Sequence, residues 1–250
     1  MFGRRKRISE SPRPCKHKKR YLDLVARVEA SAAAIHGLPA STRRADLLSK
    51  LEGTDVLAAL EIVRRLHESL QLGGDVCEFG VAQGRTSALI ADEIRLSGAK
   101  ASLSLYDSFE GLPEPSERDE LIDDIFRLGT IEAYAGKMSV PQSEVLARMK
   151  EINFEGFVVV PGFITETTPV PARVCFAYLD MDFFEPTLLG LRLLWPSLVN
   201  GGAAVVDDYG YFSSGIQRAV AEFVSGRTDV QLYESTPGAG PFVTLIKVAA

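Results

Sequence analysis

Apolar residues between Tyr21 and Leu72 recur at helical spacing. Leu22, Val25 and Val28 fall on one face, as do Leu57, Leu60, Val63 and Leu66. Gly37-Leu38-Pro39 separates the first of these helices from the next. After Gly73-Gly74 the texture changes to short apolar runs alternating with helical patterns. The runs predict strands at Asp75–Phe79, Ser102–Tyr106, Gly156–Val160, Val174–Leu179 and Ala203–Val206. The patterns between them predict helices over Thr86–Ser97, Gln142–Lys150, Pro186–Leu198 and Ser214–Val224. Buried strands alternating with helices predict a parallel sheet covered on both faces. The ending differs: Val230–Glu234 and Phe242–Val248 flank Ser-Thr-Pro-Gly-Ala-Gly-Pro, which predicts an antiparallel hairpin closing the sheet edge. The chain therefore reads as α/β. A tail (1–20) and an N-terminal helical cap (21–72) precede a sheet domain (73–250).

Composition narrows the class without changing this picture. Hydrophobic residues make up 46% of the 250 and charged residues 24%, as in ordered globular chains. No run reaches the ~18 apolar residues of a membrane span. Cys15, Cys77 and Cys175 are scattered, with no CxxC pair. That argues against a zinc site or a disulfide framework and for a reducing, cytoplasmic setting. The net charge of −5 hides an asymmetry, since residues 1–20 carry +8 and the remaining 230 carry −13. The tail reads as solvated and disordered, and it lacks the apolar stretch of a signal peptide. Apart from that tail, the acidic body argues against a nucleic-acid partner.

In parallel sheets of this kind, ligands bind outside the carboxyl ends of the strands. After the first strand comes Glu78-Phe79-Gly80-Val81-Ala82-Gln83-Gly84-Arg85-Thr86. Gly80 and Gly84 let the backbone turn tightly and approach a ligand, and the helix opening at Thr86 presents free N–H groups. The same stretch also suits a plain strand-to-helix turn. After the second strand comes Asp107, 29 positions past Glu78. An acid there accepts hydrogen bonds from both hydroxyls of a ribose, although a capping role fits Asp107 equally well. Together the two features favour an adenosine-containing ligand. Phe163 follows the third strand, where it suits either a purine face or the core.

The strongest chemical signal lies further on. Strand four ends in Asp180-Met181-Asp182, and strand five ends in Asp207-Asp208. Four acids at two neighbouring strand ends repel one another unless a cation or proton compensates. Carboxylates without His or Cys suit Mg²⁺ or Mn²⁺, not Zn²⁺. Asp180, Asp207 and Asp208 are the metal-ligand candidates. Asp182 should point the same way as Asp180 if the strand persists, and it is the candidate base. The histidines, the strand cysteines and Trp195 read as packing or surface residues.

At this level of detail the chain resembles the macrocin O-methyltransferase family, a group of S-adenosylmethionine-dependent, metal-dependent sugar O-methyltransferases of antibiotic biosynthesis. The stretches that carry the resemblance are Glu78–Thr86, Tyr106-Asp107-Ser108-Phe109-Glu110-Gly111-Leu112-Pro113, Leu179–Thr187 and Asp207-Asp208-Tyr209. The resemblance implies a Rossmann-like class I methyltransferase fold. This is a mostly parallel seven-stranded sheet with a C-terminal antiparallel hairpin and a helical cap over the acceptor site. It implies that Glu78, Gly80, Gly84, Thr86 and Asp107 hold S-adenosylmethionine, with Ser108, Ser139 and Phe163 nearby. Asp180, Asp207 and Asp208 would hold Mg²⁺, or Mn²⁺, and Asp182 would be the general base. A glycoside or sugar acceptor and a homodimer are also implied. Three features depart from the family pattern: Phe184 in place of a frequent Tyr, the segment Gly210–Gly215, and the basic tail. Each bears on acceptor choice. One rival reading is a catechol-directed metal-dependent methyltransferase, which usually places a Lys near the metal, and none lies between Lys150 and Lys247. Others are a non-catalytic nucleoside-binding module and a nicotinamide-dependent oxidoreductase.

Overall fold

The structure, a computed structural model, describes residues 16–235 and 240–249. Cys15, the tail up to that residue and the middle of the expected hairpin link lie outside the described residues. Three helices come first: α1 (Lys16–His36), α2 (Arg44–Leu48) and α3 (Val56–Leu70). The strands are β1 (Asp75–Phe79), β2 (Leu103–Asp107), β3 (Phe157–Pro161), β4 (Val174–Leu179), β5 (Leu198–Val206), β6 (Val230–Glu234) and β7 (Val243–Lys247). Between them run α4 (Arg85–Ser97), α5 (Gln142–Ile152), α6 (Phe184–Leu194) and α7 (Ser214–Val224). Helix α1 begins at Lys16, so the last five residues of the expected disordered tail are helical. They are Lys-His-Lys-Lys-Arg, a basic first turn, exposed from His17 onward, ahead of the apolar positions Leu22 and Val25.

The sheet order is β3-β2-β1-β4-β5-β7-β6. Strands β1 to β5 pair in parallel, while β7 runs antiparallel to both β5 and β6. The expected terminal hairpin is present, but its second strand is inserted beside β5 and β6 forms the edge. The order is that of class I methyltransferases.

Two apolar layers cover the sheet. On one face α3, α4 and α5 supply Ile62, Leu66, Ile90, Val145 and Met149 against Val76, Leu105, Tyr178 and Val205. On the other, α6 and α7 supply Leu188, Leu191, Ile216 and Val220 against Cys77, Phe79, Leu179 and Val206. Each such side chain, wholly removed from water, contributes about 1.5–3 kcal/mol. Helix α3 thus belongs to the sheet's own packing, and a smaller core of Val25, Leu48, Ala59 and Leu89 fixes α1 and α2 on top of it. Among the described residues no helix is long and apolar enough to cross a membrane.

Candidate active site

Two loops meet at the carboxyl ends of β1 and β2. Gly80 takes φ +82°, and a Cβ there would lie 1.7 Å from the Asp180 carbonyl oxygen. The glycine is therefore required by the close approach of the two strand ends, whatever the ligand. Asp107 organises the loop that follows. Its Oδ2 accepts from the Val81 and Ala82 amides at 2.7 and 2.8 Å, and its Oδ1 accepts from the Phe109 amide at 2.7 Å. A carboxylate offers about four lone-pair sites, so acceptor capacity remains for a ligand. Gly84 opens α4 in a left-handed conformation, with Thr86 in the helix's first turn. Arg85 and Arg148 hold this loop from two sides. Arg85 donates to Gln83 at 2.6 Å and pairs with Glu52 at 2.7 Å, and Arg148 donates to the Gln83 carbonyl at 2.6 Å.

The remaining cofactor candidates sit around the same strand ends. The Ser108 hydroxyl donates to the Gly111 carbonyl at 2.9 Å, and Ser139 donates to the Phe109 carbonyl at 3.0 Å. Phe163, 48% exposed, is not a core residue. With Leu112, Pro113 and Gly136 it lines an open cleft of about 400 Å³. Glu78 is buried in β1, and its Oε2 has no hydrogen-bond partner. Burial pushes its carboxyl up to about 8, and the nearby Asp107 adds to the shift. An orphaned buried carboxylate oxygen at a strand end fits a site that binds a polar ligand.

The acids lie across from this loop. Carboxylate oxygens of Asp180, Asp182 and Asp208 all come within 4.8 Å of one another. The route differs from the sequence expectation, because β4 stops at Leu179. Asp182 is brought round to Asp180 by a left-handed turn, φ +63°, and not by strand alternation; Asp208 takes φ +53°. Asp207 stands slightly apart, with its Oδ2 accepting from the buried Tyr178 hydroxyl. Burial and mutual repulsion push Asp182 up to about 7 and Asp208 up to about 8, with Asp207 among the charges acting on each. Asp180 is raised by burial first, then by Asp207, Asp182, Asp208 and Glu78. No lysine or arginine contributes to any of these shifts. The donor set is oxygen only and electrostatically unbalanced, which fits a hard divalent cation.

Two residues of the frame escaped the sequence reading. One is Tyr178, on β4 two positions before Asp180, and nothing in the sequence marks its hydroxyl as used. The other is buried Asp119, in the long connection between β2 and β3. Its Oδ1 accepts from the Phe184 amide at 2.8 Å and from Ser213 Oγ at 3.1 Å, which ties this connection to the starts of α6 and α7.

Comparison with known proteins bears on the family and the fold. A *Streptomyces olivaceus* protein, 8-demethyl-8-(2,3-dimethoxy-alpha-L-rhamnosyl)-tetracenomycin-C 4'-O-methyltransferase, is 32% identical over 146 residues, 54% of this chain and 53% of that protein. Demethyldecarbamoylnovobiocin O-methyltransferase of *Streptomyces niveus* is 28% identical over 158 residues, 60% of this chain and 59% of that protein. The chain thus spans little more than half the length of the curated relatives it matches. Among solved structures, the O-methyltransferase NovP superposes with a TM-score of 0.66 at 19% identity, covering 93% of this chain and all of that one. The calicheamicin methyltransferase CalS11 gives 0.61 at 20% identity, covering 98% of each chain. These two likenesses establish the class I methyltransferase fold. Residues 50–234, from the cap through β6, match the macrocin-O-methyltransferase (TylF) family, and the chain belongs to that family.

Proposed function

We propose that this protein transfers a methyl group from S-adenosylmethionine to a hydroxyl of a sugar, in a glycosylated natural product or glycan, with a divalent cation at the acidic cluster. The observation that carries the proposal is the convergence of Asp180, Asp182 and Asp208 opposite the Asp107-anchored glycine loop. The tetracenomycin relative is named for a rhamnosyl-bearing compound, which supports a sugar acceptor for this chain. When bound, S-adenosylmethionine supplies an electrophilic methyl and the cation polarises the acceptor hydroxyl.

The protein's own residues have four tasks. Asp107 accepts from the ribose hydroxyls while holding the loop amides. Glu78, Gly80, Gly84 and Thr86 shape the cofactor side, flanked by Ser108, Ser139 and Phe163. Asp180, Asp207 and Asp208 hold the cation. Asp182, within 4.8 Å of Asp180 and Asp208, accepts the hydroxyl proton once the cation has made that hydroxyl more acidic. Alignment of donor and acceptor accounts for most of the rest of the acceleration.

A second ligand assignment has its own support. The convergent trio contains Asp182 and not Asp207, which favours Asp182 as a ligand with Asp207 behind it. An Asp182→Asn variant that loses Mn²⁺ affinity as well as turnover would select this alternative. A homodimer belongs to the same proposal and is read by light scattering.

The test is isothermal titration with S-adenosylhomocysteine, with and without Mg²⁺, followed by a labelled-methyl screen of deoxysugar glycosides. The expected result is cofactor binding, with turnover abolished by EDTA and restored by Mg²⁺. No cofactor binding in either condition overturns the reading, and full turnover in EDTA removes the cation from it.

A further inference from the structure

One buried hydroxyl is built into the acidic cluster. Tyr178 is 1% exposed and pairs across the sheet with Val205 of β5. Side chains on one face of neighbouring strands lie within reach of the diagonal position, which here is Asp207. The Tyr178 hydroxyl donates to Asp207 Oδ2. Among the described residues, no hydrogen-bond donor reaches the carboxylates of Asp180, Asp182 or Asp208. Asp207 is thus the one acid of the cluster clamped by a neutral neighbour. Packing alone gives no reason for that oxygen, because a phenylalanine would fill the same buried space.

We propose that Tyr178 is a positioning residue for the cation site, fixing one oxygen of Asp207 against the repulsion of its neighbours. The proposal rests on the cation reading above. A carboxylate free to rotate inside a cluster of like charges turns outward. One held by a buried hydroxyl stays in place, and its ordering is complete before the cation arrives. Outer-shell partners of this kind are worth roughly 10–100-fold in metal affinity.

The experiment titrates Mn²⁺ alone, and separately S-adenosylhomocysteine, into the wild type, Tyr178→Phe and Tyr178→Leu. The expected result is Mn²⁺ affinity about tenfold weaker in both variants, with S-adenosylhomocysteine affinity within about twofold of wild type. A merely structural role would weaken both ligands together, and that outcome overturns the proposal. Unchanged Mn²⁺ affinity in Tyr178→Phe also overturns it and leaves the cation reading standing. Should that variant fail to fold, unchanged Mn²⁺ affinity in Tyr178→Leu overturns it instead. A wild type that binds no Mn²⁺ removes the cation reading, and this inference falls with it.

Discussion

Asp182 reaches its neighbours only because its backbone adopts a left-handed turn, with φ +63°. Such a conformation in a residue other than glycine costs of order 1–3 kcal/mol and persists where surrounding structure enforces it. The carboxylate it delivers is the proposed base. Asp182→Asn is therefore expected to leave S-adenosylhomocysteine affinity intact and cut turnover at least ~10²-fold; near-normal turnover would take Asp182 out of that role. Gly80 is constrained as sharply. Its Cβ would lie 1.7 Å from the Asp180 carbonyl at φ +82°, so Gly80→Ala should cost about 3 kcal/mol or more in urea denaturation. An unchanged midpoint would mean that the β1 and β4 ends have room to separate. At this scale the sequence was partly legible. Acids following apolar runs marked Asp107, Asp180, Asp207 and Asp208 as residues at strand ends. The left-handed turn at Asp182 was not legible, because no glycine or asparagine announces it. Nor was the bond from Tyr178, since an aromatic residue in a buried strand looks the same whether or not its hydroxyl is used.

Among the elements, β1, β4, β6 and α7 fall where the apolar runs place them. A buried parallel strand such as β4 reads as an unbroken apolar stretch, which leaves little latitude at its ends. Strand β5 starts earlier than the expected Ala203, at Leu198, because Asn200-Gly201-Gly202 has the composition of a turn. Gly202 serves packing: a Cβ there would lie 2.8 Å from the Cys175 carbonyl oxygen. Helix α6 ends at Leu194 and not Leu198, just ahead of Trp195-Pro196, where a proline disfavours further helix. Part of the attachment of the N-terminal helices was invisible to periodicity, because beside the apolar contacts it is ionic. Arg44 is wholly buried and donates to Glu93 at 2.6 and 2.8 Å, to Glu29 at 2.8 Å and to the Pro39 carbonyl at 3.0 Å. His67 meets the same Glu93 at 2.8 Å. Arg44→Ala would leave Glu93 buried and half-compensated, and should cost about 3–5 kcal/mol in chemical denaturation. A loss under about 1 kcal/mol would mean that water reaches the pair once the guanidinium is gone.

For the whole molecule, the acidic cluster makes stability depend on pH, and under the proposed function on a cation as well. Asp182, Asp208 and Glu78 have folded-state values of about 7, 8 and 8, above their ordinary carboxylate range. The folded protein therefore holds more protons than the unfolded chain between about pH 4 and 8, and its stability falls as pH rises through that window. The melting temperature of metal-free protein should drop from pH 5.5 to pH 8, and millimolar Mg²⁺ should recover most of the loss at the upper end. A melting temperature that rises with pH in EDTA would mean that other groups dominate the balance.

The position of β7 has a consequence for how the protein is made. The strand that carries Asp207 and Asp208 at its end is flanked on one side by β4 and on the other by β7. During synthesis β5 emerges well before residue 243, so for that interval one side of it has no partner. Exposed strand edges recruit other chains, and incomplete sheets of this kind are where aggregation begins. The glycine loop after β1 can assemble early, yet the acids at the end of β5 wait for β7 before the sheet beside them is closed.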